Sequence, residues 1–218
     1  MNIGILGGTG KEGSGLACRW ALAGHTVVIG SRDANKALAS AAELNRLLDG
    51  KALVRGASNV DAAQCALIVL SVPYSAQIAT ADSVAAQLAG KILVDVTAPL
   101  VPPKVDCVQL PSGESAVVAL QRRLGTQVKV VSAFQNISAT HLKDAAHEIA
   151  CDVLVCGDDA AAREVVIGLA QDAGLRAWHA GVLANSVAAE ALTSVLIAIN
   201  KRYKIAGSGI RITGTPDS

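Results

Sequence analysis

The sequence predicts an α/β protein built on a doubly wound parallel sheet, and three observations support this prediction. Short apolar runs alternate with longer segments of helical periodicity along most of the 218 residues. Glycines follow the first apolar run at once, where a tight turn into a helix is expected. Hydrophobic residues make up 51% of the chain, which is enough to cover a sheet on both faces.

The first half of the chain contains five predicted strands, because five short apolar runs are bounded by turn residues. They are Asn2–Leu6, Thr26–Gly30, Leu53–Gly56, Leu67–Val72 and Ile92–Val96. The fourth run is the clearest inner strand, since it is unbroken until Pro73, which cannot donate to a ladder. Segments of helical periodicity between the runs predict helices over Lys11–Ala23, Ala34–Asp49 and Ala76–Leu88.

The second half repeats the alternation after a proline-rich loop over Pro99–Glu114. Its predicted strands are Gln127–Ala133, Asp152–Cys156 and Leu175–Trp178, and its predicted helices are Ser115–Leu124 and Ala160–Ala173. A polar helical stretch is expected around His141 and His147. We expect residues 1–134 to form a dinucleotide-binding domain, and residues 135–218 to be a small C-terminal helical and strand extension that completes a substrate cleft.

The segment Val182–Asn200 is apolar on nearly all sides. Asn185, Ser186 and Glu190 interrupt it, so we expect a buried or subunit-interface helix and no membrane span. We predict a homodimer that associates through this helix, with burial inside one subunit as the alternative. The tail Gly207–Ser218 could add an edge strand, clamp a ligand or fray.

The glycines after the first strand match the G-x-G-x-x-G pattern of the Rossmann dinucleotide fold. Gly8 would permit the tight turn, Gly10 would let the backbone approach a pyrophosphate, and Gly13 would let the helix pack on the strand. The unpaired N–H groups of that helix would then face the phosphates. The alternative is a plain structural turn.

The end of the second strand indicates NADP and not NAD. A carboxylate that would hold a ribose 2′-hydroxyl is missing there, and the chain carries Ser31, Arg32 and Lys36 instead. A guanidinium, a hydroxyl and an ammonium suit a 2′-phosphate. Asp33 is expected to cap the next helix. The alternative interpretation of Arg32 and Lys36 is a solvated helix start, although cations there oppose the helix dipole.

The carboxyl ends of parallel strands bind ligands in such sheets, so the residues that follow the later strands are also candidates. We assign Val72, Pro73, Tyr74, Thr97 and Pro99 to the cofactor, with Tyr74 beside the nicotinamide. We assign to the substrate cleft Phe134, Gln135, Asn136 and Ile137, in which the two amides could hydrogen-bond a carboxamide or a flat heterocycle. For each loop, ordinary turn chemistry is the alternative.

Composition and spacing argue against several other classes of protein. A net charge of +1 and 2% aromatic residues leave no basic surface or stacking platform for nucleic acid. The five cysteines lack zinc spacing and are expected to be small buried residues, without a disulfide or a metal. A strand begins at position 2, which leaves no room for a signal peptide and predicts a cytoplasmic protein.

The sequence offers little acid–base machinery. It lacks a Tyr-x-x-x-Lys pair, and His25, His141, His147 and His179 are scattered and expected on the surface or in packing. A hydride transfer between two flat redox rings needs mainly apposition of the reacting carbons, so it is compatible with this poverty. A protein that only binds nucleotide is equally compatible.

Seven segments together resemble the NADPH-dependent reductases of coenzyme F420, an 8-hydroxy-5-deazaflavin. They are LGGTG-x-x-G over 6–13, GSR over 30–32, VPYSA over 72–76, VDVTAPL over 94–100, VVSAF over 130–134, VCGDD over 155–159 and AGVLANS over 180–186. The resemblance implies that Thr9, Ser31, Arg32 and Lys36 surround the NADP phosphates. It also implies a deazaflavin stacked on the nicotinamide, a cleft closed by the C-terminal part, and a homodimer.

The chain departs from the archaeal members of that family near the deazaflavin. Where they carry His-Thr-Ile-Pro, this chain has Gln-Asn-Ile-Ser over 135–138. The resulting hypothesis is a cytoplasmic NADP-dependent oxidoreductase that exchanges a hydride with coenzyme F420 or a flavin-like acceptor. The alternatives are a reductase of a small carbonyl or imine compound and an NADPH-binding sensor without turnover.

Overall fold

The structure, a computed structural model, describes residues 1–111 and 114–214 and confirms the predicted fold class. One eight-stranded sheet runs through it in the order β3-β2-β1-β4-β5-β6-β7-β8. The strands are β1 Asn2–Leu6, β2 Thr26–Ser31, β3 Val54–Ser58, β4 Leu67–Leu70, β5 Ile92–Asp95, β6 Lys129–Ser132, β7 Asp152–Gly157 and β8 Arg176–His179. The order reverses between β1 and β4, which is where doubly wound sheets bind ligands.

Eight helices lie between or after the described strands and cover both faces of the sheet. They are α1 Lys11–Leu22, α2 Ala34–Leu48, α3 Asn59–Ala62, α4 Gln77–Ser83, α5 Ala85–Leu88, α6 Ala116–Leu124, α7 Ala160–Asp172 and α8 Ser186–Tyr203. The single helix predicted over 76–88 is therefore divided. A 3-10 turn over Tyr74–Ala76 precedes α4, and Val84 interrupts the helix between α4 and α5.

The sheet is parallel except between β6 and β7, which pair antiparallel. The predicted doubly wound parallel sheet therefore contains one antiparallel pair. Parallel neighbours need a crossover, usually a helix, whereas the 133–151 connection contains only turns and irregular backbone. The division of the chain into parts at residue 134 stays a prediction.

The prediction of a polar helical stretch around His141 and His147 was wrong, because the structure has turns and irregular backbone there. The backbone of this stretch is held by a side chain from α1, because the buried Arg19 donates hydrogen bonds to the carbonyls of Leu142 and Asp144 at 2.9 and 2.8 Å. The same guanidinium reaches the carbonyl of His147 at 2.9 Å. Five donors in a planar fork can hold carbonyls that a regular helix would have paired internally.

The helix α8 places its polar residues inward. Ser186, Glu190 and Ser194 are buried, and Glu190 accepts hydrogen bonds from the backbone of Ala116 and Val117 at the start of α6. Leu183–Tyr203 has a hydropathy of 1.4 and could cross a membrane by length and composition alone, although 33% of its most apolar stretch is buried inside the protein. The absence of a membrane partner stays a prediction.

Part of the predicted tail follows the edge of β7 without forming a regular strand. The backbone N–H of Asp152 donates to the carbonyl of Ile210 at 2.8 Å, and the N–H of Ile212 donates to the Asp152 carboxylate at 2.8 Å. The last four residues of that tail, 215–218, lie outside the described residues. Three of the five cysteines are buried as expected, whereas Cys65 is half-buried and Cys107 is exposed.

Candidate functional site

Two adjoining cavities lie along the carboxyl ends of the strands. The larger has a volume of about 640 Å³ and the smaller about 190 Å³, and the larger falls in the range of ligand sites. Their walls share Gly10, Ser71, Val72 and Pro73. The strand-end residues predicted to form one row therefore enclose one continuous pair of cavities.

The glycine turn between β1 and α1 separates the roles of four glycines. Gly7, and not Gly8, takes the left-handed conformation with φ of 71°, which corrects the predicted role of Gly8. A side chain at Gly8 would meet Ile29 at 2.7 Å, and one at Gly13 would meet the Cα of Gly8 at 2.9 Å, so both permit close packing. At Gly10 a Cβ would find only the Gly7 carbonyl, at 3.6 Å. Open space thus remains at the glycine that is predicted to face the pyrophosphate.

The smaller cavity lies beside the predicted 2′-phosphate residues. Thr9, Ser31 and Arg32 line it, together with Asn59 at the start of α3. Arg32 is exposed, so its guanidinium is free to bind an anion there. Asn59 was missed by the sequence reasoning; its Oδ1 accepts a hydrogen bond from the Gly7 N–H at 3.3 Å.

The start of α2 has the predicted cap. Asp33 accepts a hydrogen bond from the Asn35 N–H at 3.0 Å, so its carboxylate is used locally. Lys36 is exposed one turn into the helix and does not line either cavity. Its assignment to the 2′-phosphate stays a prediction, which requires the flexible Lys36 side chain to extend to the smaller cavity.

One wall of the larger cavity comes from the loops after β4 and β5. Val72, Pro73, Tyr74 and Thr97 line it, and Thr97 Oγ1 donates to the Val72 carbonyl at 3.4 Å, which links the two loops. Pro99 is buried between two lining residues and does not itself line the cavity.

The loop after β6 forms the opposite wall, with one correction. Phe134 is fully buried and packs edge-on against Trp20 with ring centroids 5.9 Å apart, so it belongs to the core and not to the substrate cleft. Its φ of 73° is rare for a bulky residue and turns the chain after the strand. The next three residues, Gln135, Asn136 and Ile137, line the larger cavity, and their assignment to the substrate stays a prediction.

The amide side chains of this loop are each half satisfied. Gln135 Nε2 donates to the Asp95 carbonyl and Asn136 Nδ2 donates to the Asp152 carbonyl, both at 2.7 Å. Gln135 Oε1 and Asn136 Oδ1 are buried without a hydrogen-bond partner among the described residues. Buried polar atoms without a partner are costly, so these two acceptors fit a ligand that brings its own donors.

The C-terminal helix α8 closes the larger cavity, and sequence reasoning identified none of its lining residues. Thr193, Leu196 and Asn200 line the cavity from α8, and Ser208 lines it from the segment that follows. Thr193 Oγ1 donates to the Gln135 carbonyl at 2.8 Å, which fastens the helix to the loop after β6. Thr193 is one of several polar residues on an apolar helix, but sequence spacing could not say which loop it would meet.

Two carboxyl groups near the floor of the cleft were also missed. Glu12 lines the larger cavity, and burial together with the nearby Asp95 raises its pKa well above the usual value. Burial raises the pKa of Asp95 to about 7, against the opposing hydrogen bonds from Thr97 and Gln77. Glu12 stands inside the glycine pattern at a position that the pattern leaves free, which is why it was passed over.

Histidines and metal ligands are not brought to this site. None of the four histidines lines either cavity in the described part of the chain, and His25 and His179 instead contact Asp172 and Glu164. Within residues 1–111 and 114–214, no three His, Cys, Asp or Glu side chains are grouped as a metal would require. That the protein works without a metal stays a prediction.

Comparisons with known proteins cover the whole of this site. Residues 2–99 match the family model described as NADP oxidoreductase, coenzyme F420-dependent. The chain is 40% identical to the F420-dependent NADP reductase of Methanothermobacter marburgensis over 100% of both chains, and 40% identical to that of Methanocaldococcus jannaschii over 98% of each. A crystal structure described as a candidate F420-dependent NADP reductase of Arthrobacter sp. FB24 aligns with a TM-score of 0.80 at 31% identity, over 98% of this chain and 99% of that one.

Proposed function

The chain belongs to the family of F420-dependent NADP reductases, and we propose that it is an NADP-dependent oxidoreductase that transfers a hydride between NADP(H) and coenzyme F420. Family membership agrees with the resemblance seen in the sequence. The single observation that carries the proposal is the pair of adjoining cavities that meet at Gly10. The larger one is lined by Gln135 and Asn136, whose amide oxygens have no hydrogen-bond partner among the described residues.

The nucleotide half of the proposal rests on the glycine turn and the smaller cavity. The open face of Gly10 and the unpaired N–H groups at the start of α1 would hold the pyrophosphate. Thr9, Ser31 and Arg32 would bind the 2′-phosphate, with Lys36 as a second cation. With the adenosine end in the smaller cavity, the nicotinamide end lies in the larger one, and the nicotinamide supplies the hydride.

The acceptor half rests on the walls of the larger cavity. Gln135 and Asn136 offer acceptor oxygens, while Tyr74, Ile137 and Leu196 offer apolar surface for a flat ring. A deazaflavin carries a ring N–H that such an acceptor can bind. The residues hold two rings in apposition and exclude water, which is the main requirement for hydride transfer.

Self-association is the second part of the proposal. The side of α8 that faces away from the protein carries a stripe of small and apolar residues that are exposed or half-buried. Its members are Ala188, Ala191, Leu192, Val195, Ala198 and Ile199. Val195, for example, is 44% exposed. An apolar stripe at this helical spacing can pack against the same stripe of a second copy of the chain. We therefore propose a homodimer through α8, in a cytoplasmic protein.

The test is turnover with a panel of acceptors. Purified protein is mixed with NADPH and with F420, FMN or a small imine in separate reactions, and the loss of F420 or nicotinamide absorbance is followed. The proposal expects rapid reduction of F420 and much slower reduction of the others. Faster reduction of the imine would support the carbonyl or imine alternative, and tight NADPH binding without turnover would support the sensor.

A further inference from the structure

Glu12 is a side chain of the cleft that has no role in holding the nucleotide or the acceptor as proposed above. It lies in the first turn of α1, two residues after Gly10, and lines the larger cavity. Its Oε1 is buried and has no hydrogen-bond partner in the described part of the chain. A buried carboxyl oxygen without a partner is costly unless a ligand contacts it or the group stays neutral.

The charges around Glu12 favour its neutral form. Burial raises its pKa, and Asp95 at the end of β5 adds to that effect. Asp95 in turn lies near Glu190 of α8, whose pKa burial also raises. The start of α1 acts in the opposite direction, because the helix dipole favours an anion there. Among titratable side chains of the described residues, only Lys11 and Tyr74 line the larger cavity beside Glu12.

The position of Glu12 relative to the two cavities points to the nicotinamide as its ligand. A dinucleotide that crosses Gly10 with its 2′-phosphate at Arg32 extends its nicotinamide end into the larger cavity, which Glu12 also lines. The reduced ring is neutral and the oxidised ring is a cation. A cation within about 4 to 6 Å of a carboxyl lowers its pKa by roughly 1 to 3 units.

We propose that Glu12 is the proton-holding residue of the cleft, protonated beside the reduced nicotinamide and ionised beside the oxidised one. This inference rests on the proposed function for the placement of the nucleotide. In the forward reaction NADPH loses a hydride, and the acceptor gains that hydride and one proton. The O–H bond of Glu12 breaks to supply this proton, so the carboxylate faces the new positive charge. Glu12 regains a proton from solvent when NADP⁺ leaves.

The test measures protons and not turnover. Isothermal titration calorimetry measures the binding of NADP⁺ and of NADPH at neutral pH. Repeating each titration in buffers of different ionisation enthalpy gives the number of protons released on binding. We expect the wild-type protein to release up to about one more proton with NADP⁺ than with NADPH. NADPH carries the same 2′-phosphate, so the difference between the two nucleotides cancels the titration of that group.

Two variants assign the proton. Glu12→Gln keeps the size of the side chain and should abolish the difference in proton release while it changes NADPH affinity by only about twofold to threefold. Glu12→Leu should abolish it as well, which keeps the test valid if the first variant folds poorly. Asp95→Asn should keep a smaller difference, because Glu12 is still present but the loss of the Asp95 charge lowers its pKa. If Asp95→Asn abolishes the difference while Glu12→Gln keeps it, the proton belongs to Asp95, whose pKa is about 7, and the inference is overturned.

The ratio of affinities gives an independent readout. As the pH rises and Glu12 ionises, the NADP⁺ affinity of the wild type should rise about tenfold or more relative to that for NADPH, and in Glu12→Gln the ratio should be flat. Equal proton counts for the two nucleotides, or an unchanged difference in Glu12→Gln, would overturn the inference. A failure to bind either nucleotide would instead overturn the proposed function.

Discussion

Gln135 donates a hydrogen bond of 2.7 Å from Nε2 to the backbone carbonyl of Asp95, and this bond fixes which end of its amide is left for a ligand. The remaining Oε1 is buried and has no hydrogen-bond partner among the described residues, and Gln135 lines the larger cavity. The loop after β6 is thus tied to the end of β5.

Removal of that acceptor should affect the second substrate and spare the nucleotide. Gln135→Met keeps the length of the side chain but loses both the acceptor oxygen and the hydrogen bond to Asp95. The hydrogen bond lost to F420 contributes about 0.5 to 1.5 kcal/mol, so the KM for F420 should rise about twofold to tenfold. Steady-state kinetics with F420 and separate NADPH titrations measure the two effects. An equal loss of NADPH affinity would mean that Gln135 supports the nucleotide instead.

Arg32 should decide between NADP and NAD. Charge-assisted hydrogen bonds contribute about 1.5 to 3 kcal/mol, so Arg32→Ala should weaken NADPH binding about tenfold to a hundredfold and leave NADH binding almost unchanged. Arg46→Ala is the matched control, because Arg46 is an exposed arginine of α2 that lines neither cavity. If fluorescence titrations show equal losses for both nucleotides, Arg32 does not contact the 2′-phosphate.

Gly10 and Gly13 should fail in different ways. A side chain at Gly10 meets no atom closer than 3.6 Å, so Gly10→Val should keep the thermal midpoint but abolish nucleotide binding by filling the path of the pyrophosphate. At Gly13 even a Cβ would lie 2.9 Å from the Gly8 backbone, so Gly13→Ala should lower the thermal midpoint. Full NADPH affinity in a folded Gly10→Val protein would contradict the assignment of the turn.

The oligomeric state depends on the outward stripe of α8. Val195→Asp places a charge at a position that is 44% exposed in the single chain, so a dimer through this stripe should dissociate while the subunit stays folded. Light scattering at micromolar concentration reports the mass. Leu196 does not serve this purpose, because it is 6% exposed and lines the larger cavity. A wild-type monomer would remove the interface from the account.

The strand ends of this site could be predicted because they depend on local pattern. The apolar runs and their turn residues locate the loops after β1, β2, β4 and β5, and a parallel sheet brings those loops to one edge. The cap at Asp33 is local in the same way, since donor and acceptor are two residues apart.

The features that were missed depend on contacts between distant parts of the chain. Phe134 follows a strand like the other site residues, but its ring packs against Trp20 of α1 in the core. Arg19 holds the connection between β6 and β7 in an irregular shape from more than a hundred residues away, which local helical periodicity does not reveal. The pKa of Glu12 is raised by burial and by Asp95, and the glycine pattern reveals neither cause.

The central claim is direct hydride transfer from NADPH to F420 inside the larger cavity. The most direct test uses NADPH that carries deuterium at C4 of the nicotinamide, first in one stereochemical position and then in the other, with F420 as acceptor in ordinary water. The account predicts that one of the two labels appears in full at C5 of the reduced deazaflavin, because stacked rings that exclude water leave no path for exchange. Label lost to water from both positions, or no reduced F420 at all, would contradict it.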